Sequence, residues 1–580
     1  MAVNPYAAEL YCNMIASFRL ADTTAAADAT VTATGYDTDI SQLSQTHDGI
    51  ETMSAKWATL ENGGWPLDGT CDIMPDSLTG VQTGFWSNLS DADGNLSGVA
   101  LTYTFAANHS SYGFTMAFDD KTNWYPKSIT VAAYNSTNTL LDSKTFDCAS
   151  PQQAVIMPVT NYRKVIVTFS STQLPYQRVH LSACIFGVVE APGLMKASIL
   201  YETDPRMKAL PTGELSITID NTDGKYNQRS PNSLYAYLQE GQPFDNLKIG
   251  LGPSRAGIEY TDMGKQFYFT KSAAKDSSMT ADITANDMIY KMGKTTYRKG
   301  INGTDTVSNL VSAVLLDSGT GLTANIPTAI GARVIGSNIP LVTHREAIRL
   351  IAQAARCSAF INRAGELELA EIAAGTPSDT LDGSNMLDWP DIQVDDAVNT
   401  VNVTVYSYYR KLAVDDVSMY EGTATISGTQ TIWIEYSSSA TSPSTTVTGG
   451  TLVSTVYYYY GAYLTITASG EVTIKITGAD ELTSSHYEYS ANNITGSEAA
   501  QTLKIDNALI VSTDIASAVA TYQLGLSRVT YPVTEMGNPS RELIDTATIT
   551  DAYGGTGNAV ITKQKYSYDG GLKCELEAVE

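Results

Sequence analysis

Residues 213–252 read GELSITIDNTDGKYNQRSPNSLYAYLQEGQPFDNLKIGLG. Leu215, Ile217 and Ile219 alternate with Ser216 and Thr218, the period of two that marks a strand with one buried face. Asp220 to Gly224 then break the alternation with turn-forming residues, Gly224 being free to take a positive φ. Pro231 is expected to open a helical turn carrying Leu234, Tyr237 and Leu238 at i, i+3 and i+4, which Gly241 and Pro243 end. Leu247, Ile249 and Leu251 resume the alternation.

The totals agree with a β-rich start. A chain of 580 residues exceeds what one core can serve, so roughly three to five domains are expected. Charged residues are only 17% while Thr, Ser, Tyr and Gly abound, which favours strands with a hydroxyl-rich surface over helices. A formal charge of -25 argues against non-specific nucleic-acid binding, because phosphate contacts need clustered Lys and Arg. An acidic wall still suits DNA that must slide past without sticking. Cys12, Cys71, Cys148, Cys184, Cys357 and Cys574 show no C-x-x-C spacing, so buried free thiols are expected rather than zinc, redox or disulfide chemistry. The chain opens with no basic segment leading into an apolar run, so no signal peptide is expected and synthesis is placed in a cytoplasm. No membrane-spanning segment is expected either, since no apolar run approaches the ~18 residues required.

Taken in order, residues 1–69 read as an N-terminal arm or as first strands of a domain completed later. Residues 70–189 read as a β-sandwich: Leu101, Tyr103 and Phe105 alternate, as do Ile129, Val131 and Ala133, and Val165, Val167 and Phe169, with polar turns such as 123–126 between. Residues 190–300 hold the opening stretch and a further alternation, Met279, Ala281, Ile283 and Ala285, and are expected to form an antiparallel barrel-like or twisted sheet.

Residues 301–400 turn to α+β. Val307, Leu310, Val311, Val314 and Leu315 fit one helix face, with Asp305 or Thr306 as cap and Gly319 as stop. Thr343 and Glu346 make a T-x-x-E capping box for a second helix. There Ile348, Ile351, Ala352 and Ala355 are expected inside, and Arg345, Arg349 and Gln353 outside. Residues 401–412 form a strand, with Val401, Val403 and Val405 alternating, and the Thr-, Ser-, Gly- and Tyr-rich 413–510 reads as an inserted β-domain. Residues 511–580 hold a third helix from Asp514 to Leu526, with Ile515, Val519, Tyr522 and Leu526 in register, and closing strands in which Leu572, Cys574, Leu576 and Ala578 alternate. The expected class is mainly β with some α+β, in a multidomain chain.

Three of these segments, in this order, resemble the tail hub proteins (baseplate-hub-like, tail-associated, tail tip) of tailed bacteriophages. The first is 213–252, with its D-G-K-Y turn, Y-x-x-L segment and G-x-P before the next strand. The second is 343–369, THREAIRLIAQAARCSAFINRAGELEL, a helix with "IA" followed by an N-R-x-G-x-L hairpin. The third is the terminal VITKQKYSYDGGLKCELEAVE, 560–580. Residues 114–135 and 159–187 resemble galactose-binding-like jelly-roll modules, with a Y-P corner at Tyr125 and Pro126.

The hub resemblance implies a structural virion protein that joins the tail tube to the distal tip and host-recognition apparatus and forms a channel for DNA. It implies a homotrimer, with tail-tube proteins and tail fibre or receptor-binding proteins as partners, and DNA passing without specific binding. The alternatives are a carbohydrate-binding adhesin that recognises a host-surface glycan, and a cell-wall hydrolase. The hydrolase is disfavoured because the chain ends directly after the hub-like hairpin.

Site chemistry is sparse. None of His47, His109, His180, His344 and His486 pairs with another ligand at metal-binding spacing, and His344 is expected in an exposed first helical turn. There is no G-x-S-x-G elbow and no phosphate loop. Asp220 to Gly224 and Asp91 to Gly94 lack the EF-hand pattern and read as turns. Glu366 and Glu368 alternate with leucines and read as a solvated face rather than a glycosidase pair. No enzymatic activity, cofactor or metal is therefore expected. Trp86, His109, Tyr112 and Trp124 are candidate carbohydrate contacts, since aromatic rings stack on the apolar face of a pyranose; ordinary core roles compete with that reading.

Overall fold

The computed structural model describes residues 11–580 except 62, 123, 231–232, 274–278, 302, 397, 441 and 494–500, with the backbone alone described at 273, 410–416 and 479–483. Asn123 and Pro231, read above as a turn residue and a helix opener, lie outside the described residues. The chain is mainly β and folds into several antiparallel sheets, and the described residues gather around four hydrophobic cores.

The two strands of the opening stretch do not pair with each other. Glu214–Asp220 lies in a ten-stranded sheet, between Thr280–Asn286 and Leu194–Glu202. Leu194–Glu202 in turn pairs with Thr556–Tyr568, which leads on to Leu572–Val579 and Val529–Glu535. Phe244–Gly252 belongs to a second, four-stranded sheet, beside Tyr11–Ala21. Ile199, Ile217, Ile283, Ile561 and Leu576 from the large sheet meet Phe18, Leu247 and Ile249 from the small one in a single core. The polar turn that separates the two walls is tied internally: Asn221 Oδ1 accepts from Tyr226 N at 3.0 Å, and Gly224 takes φ +68°. Where a full helical turn is expected, only a 3-10 turn forms at Tyr235–Tyr237, with Leu234 buried beneath it. Met279 departs from its expected inward place. It is 67% exposed because the chain enters the sheet only at Thr280.

Residues 29–185 supply a separate seven-stranded sheet whose long strands, Asn95–Phe118 and Gln152–Thr172, carry several register shifts. Such bulges let a strand bend around a core, here Phe85, Leu101, Tyr103, Phe114, Tyr162 and Phe169. The first segment of the chain is divided: Tyr11–Ala21 joins the central body, and Ala29–Thr34 pairs with Asn95–Phe118.

The third core is helical. Val307–Ser318 is capped by Thr306 Oγ1, which accepts from Asn309 N, and ends at Gly319 with φ +62°. His344–Ala355 forms half of its capping box: Thr343 Oγ1 accepts from Glu346 N at 3.2 Å, but the Glu346 carboxylate turns to Arg349. Arg345, Arg349 and Gln353 do not face solvent as expected. Arg345 Nε donates to Leu210 O at 2.7 Å, and Arg349 Nη1 and Gln353 Nε2 donate to Met207 O at 2.9 and 3.2 Å. The connection from Glu202 to Glu214 runs under this helix, and its carbonyls need donors that no strand supplies. His344 is likewise buried at 2% exposure, with Nδ1 2.9 Å from Thr295 Oγ1 and Nε2 3.1 Å from Asp317.

A single strand, Val398–Glu435, leaves this core paired with Gly461–Asn492, so the expected boundary at 412/413 falls inside one continuous ribbon. Its far end has the fourth core, including Leu464, Ile466, Val472, Ile474 and Ile476. All six cysteines are free, and burial pushes the thiols of Cys148, Cys184 and Cys357 up to about 12.

The loop after Val529–Glu535 is pinned by one guanidinium. Arg541 is 3% exposed and lies between Glu535, 1% exposed, and Asp379, with Nε 3.1 Å from Asp379 Oδ2. Burial works against the charge on Asp379, but the hydrogen bonds and charge of Arg541 outweigh it and lower its pKa. Arg541→Met is expected to cost about 3–5 kcal/mol, because it strands a buried carboxylate. Arg541→Lys should recover only part, since an ammonium cannot reproduce the guanidinium fork. Urea titrations of the two variants measure both effects.

Candidate functional site

The four candidate ring residues divide between two ends of the seven-stranded sheet. At one end the indole of Trp86 lies 3.4 Å, centroid to centroid, from the His180 ring, and Trp124 lies 5.2 Å from the same ring. Trp86 Nε1 donates to Thr83 O at 2.7 Å. His180 is fully buried, with Nδ1 3.3 Å from Asp119 Oδ2. Asp119 also accepts from Thr122 Oγ1 at 2.6 Å and Lys121 N at 2.8 Å. Burial lowers the pKa of His180. For Asp119 burial acts upward, but the pairing with His180 and Thr122 wins and its pKa is lowered. The loop over this face is held by Arg178, which pairs with Glu61 and, at 3.1 Å, with Asp37. Gly64 permits the loop to approach, since an added Cβ would stand 2.9 Å from the Trp124 ring.

At the other end His109 is clamped between two carboxylates. Its Nδ1 is 3.0 Å from Asp22 Oδ2 and its Nε2 2.9 Å from Asp28 Oδ2. Each ring nitrogen thus has a carboxylate oxygen within hydrogen-bond reach. Asp22 and Asp28 flank the crossing from Tyr11–Ala21 to Ala29–Thr34, so the clamp sits where the chain passes from the central body to the seven-stranded sheet. Tyr112, half-buried, packs at 5.5 Å against Tyr237 of the opening stretch.

The four candidates thus do not share a surface. A sugar needs an open ring face; Trp86 at 0% and His109 at 3% exposure offer none. Trp124 and Tyr112 act as packing joints. The carboxylates on the two histidines, Asp22, Asp28 and Asp119, carry no signal in the sequence because each is remote from the ring it serves.

A cavity of about 700 Å³ opens on the outer face of the large sheet, lined by Glu202, Glu214, Asp388, Trp389, Lys563 and Glu577 among others. Lys563 Nζ donates to Glu577 at 2.8 Å, which raises the lysine pKa. Its described lining holds neither histidine nor cysteine. Among the described residues no group of three or more His, Cys, Asp or Glu is placed to hold a metal ion. Among them, too, no helix is long and apolar enough to cross a membrane.

The clamp gives a pH dependence of defined sign. For Asp22, burial acts upward, but bonds from Thr24 and His109 outweigh it and lower its pKa. A carboxyl whose pKa is lower folded than unfolded contributes stability above the usual carboxylate range, and loses it as pH falls through the folded value. The apparent Tm is expected to drop below about pH 4. Asp22→Asn should lower Tm at pH 7 by about 2–4 °C and flatten the acid limb. Calorimetric scans between pH 3 and 7 test this; an unchanged acid limb would sink it.

No family model matches this chain, and no curated protein does. Among solved structures it is similar to the tail protein from Neisseria meningitidis MC58, at 10% identity and a TM-score of 0.40, covering 68% of this chain and 94% of that one. It is also similar to the prophage MuSo2 43 kDa tail protein from Shewanella oneidensis, at 11% identity and a TM-score of 0.38, covering 68% and 95%. For the prophage tail protein gp18 from Listeria monocytogenes EGD-e the values are 9% and 0.37, covering 67% and 91%. At these identities and TM-scores, the functional reading rests on the chain's own residues.

Proposed function

We propose that this chain is a structural protein of a phage tail tip: a hub that joins the tail tube to the distal host-recognition apparatus and borders the path of the DNA. One observation carries the reading. The three segments that resemble the hub family, remote in sequence, meet in one body. Glu214–Asp220 and Leu572–Val579 lie in the same sheet. Arg363, from the N-R-x-G hairpin, reaches into that body, donating to Pro539 O and, at 2.6 Å, to Arg541 O, with its guanidinium 5.8 Å over the Tyr201 ring.

In this reading the chain acts as a homotrimer in the virion, with tail-tube and fibre or receptor-binding proteins as neighbours and without enzymatic activity. Its charge of -25 suits a surface that DNA passes without adhering. The buried charged groups described above tie connections to cores, which is the work of a scaffold.

Gold-labelled antibody against the chain is expected to mark the tail tip of virions, and light scattering should return three chains per particle. Label absent from the tail would overturn the reading. Arg363→Ala is expected to lower the yield of tailed particles at least tenfold, because it uncouples the hairpin from the sheet. Counts by electron microscopy measure that yield.

A further inference from the structure

Two cores sit on one pair of strands. Val401, Val403 and Val405 pack in the helical core, whereas Met419, Ile426, Leu464, Val472 and Ile474 pack in the distal one. A straight strand from Val405 to Trp433 would run about 90 Å. Yet the Trp433 ring lies 5.2 Å from Arg298 Cζ, and Arg298 adjoins Tyr297 of the helical core. The ribbon therefore folds back on itself. Its ladder shows where: Leu412 stands opposite Asp480 but Val417 opposite Gly478, and the register slips again between Ser418 and Tyr420. Unequal numbers of residues on paired strands bend and twist a ribbon at that point.

The returning face is aromatic. Trp433 lies 4.9 Å from Tyr463 and 6.3 Å from Tyr458, and the latter two rings are 6.3 Å apart and edge to face. Gly461 makes this packing possible, because any Cβ there would collide with the Trp433 ring. Opposite stand two cations of the helical layer, Arg298 on Trp433 and Lys299 Nζ 5.8 Å over Tyr458. Lys299 is held by Asp317 at 2.9 Å, and Asp317 also takes His344 Nε2. Lys299 is thus fixed on the body, and both cations meet the distal module through ring faces. Arg298 Nε and Trp433 Nε1 are buried without a hydrogen-bond partner, so this contact holds without the directional bonds that secure the other joints.

The geometry points to a hinged arm. The distal β-module is latched to the helical layer by Arg298 and Lys299 on Trp433 and Tyr458, and it swings out about the irregular stretch at 412–420 when that contact is lost. Its separate core lets it move as a unit, and the ribbon keeps it tethered.

Small-angle scattering coupled to size exclusion tests this on the full chain. Arg298→Gln with Lys299→Gln is expected to raise the radius of gyration and the maximum dimension over wild type, with circular dichroism unchanged. Tyr458→Leu, made on the module side, should do the same, whereas Tyr458→Phe keeps the ring and should scatter as wild type. Should the double variant lose helix, Tyr458→Leu decides. Curves for the folded variants that superimpose on wild type would overturn the proposal, as would an equal expansion in Tyr458→Phe.

Discussion

The pairing of Leu194–Glu202 with Thr556–Tyr568 is the constraint on which the rest depends. Ala197 stands opposite Tyr568 and Leu200 opposite Lys565, so strands remote in the chain share the middle of the largest sheet. The helical layer and the distal β-module, which lie between them in the chain, must leave the sheet and return to it. Polymer physics tolerates this well, since each doubling of a loop costs only about 0.6 kcal/mol. Whole modules can therefore stand between the two strands, provided each buries its own core, as the helical layer and the distal β-module do. Tyr201 and Tyr566, from the two paired strands, then fix the neighbouring loops: their hydroxyls donate to Met263 O at 2.7 Å and Asn538 O at 2.8 Å.

Where one core gives way to another, the joints are polar and buried. His109 between Asp22 and Asp28, and Arg345 on Leu210 O, are two instances. Each sets a side chain with more than one nitrogen against oxygens of an irregular connection. The cost of an unmet buried acceptor, about 1–3 kcal/mol, makes such joints decisive for which module sits against which. The contact of the distal arm differs in kind. It is cation on ring, with buried donors left unpaired on both sides.

Much of the strand pattern is legible in the sequence. Ile217 with Ile219, Val165 with Val167, and Cys574 with Leu576 all face cores, as a period of two requires. The helix starting at Thr343 and the stop at Gly319 are legible for local reasons, because a cap and a left-handed glycine act within a few residues. His344, Arg349 and Gln353 are not. Helical spacing shows that they leave the apolar stripe, but not that another segment of the chain lies over them.

The sequence by itself therefore determined the local periods, the caps, the turns and the predominance of β structure, since these depend on neighbours a few residues apart. Only the tertiary structure decided that the two strands of residues 213–252 stand in opposite walls of one core, that strands far apart in the chain close one sheet, and that Trp86 and His109 are interior. Those outcomes rest on contacts between residues tens to hundreds of positions apart. A period of two shows that a face is buried, but not what buries it.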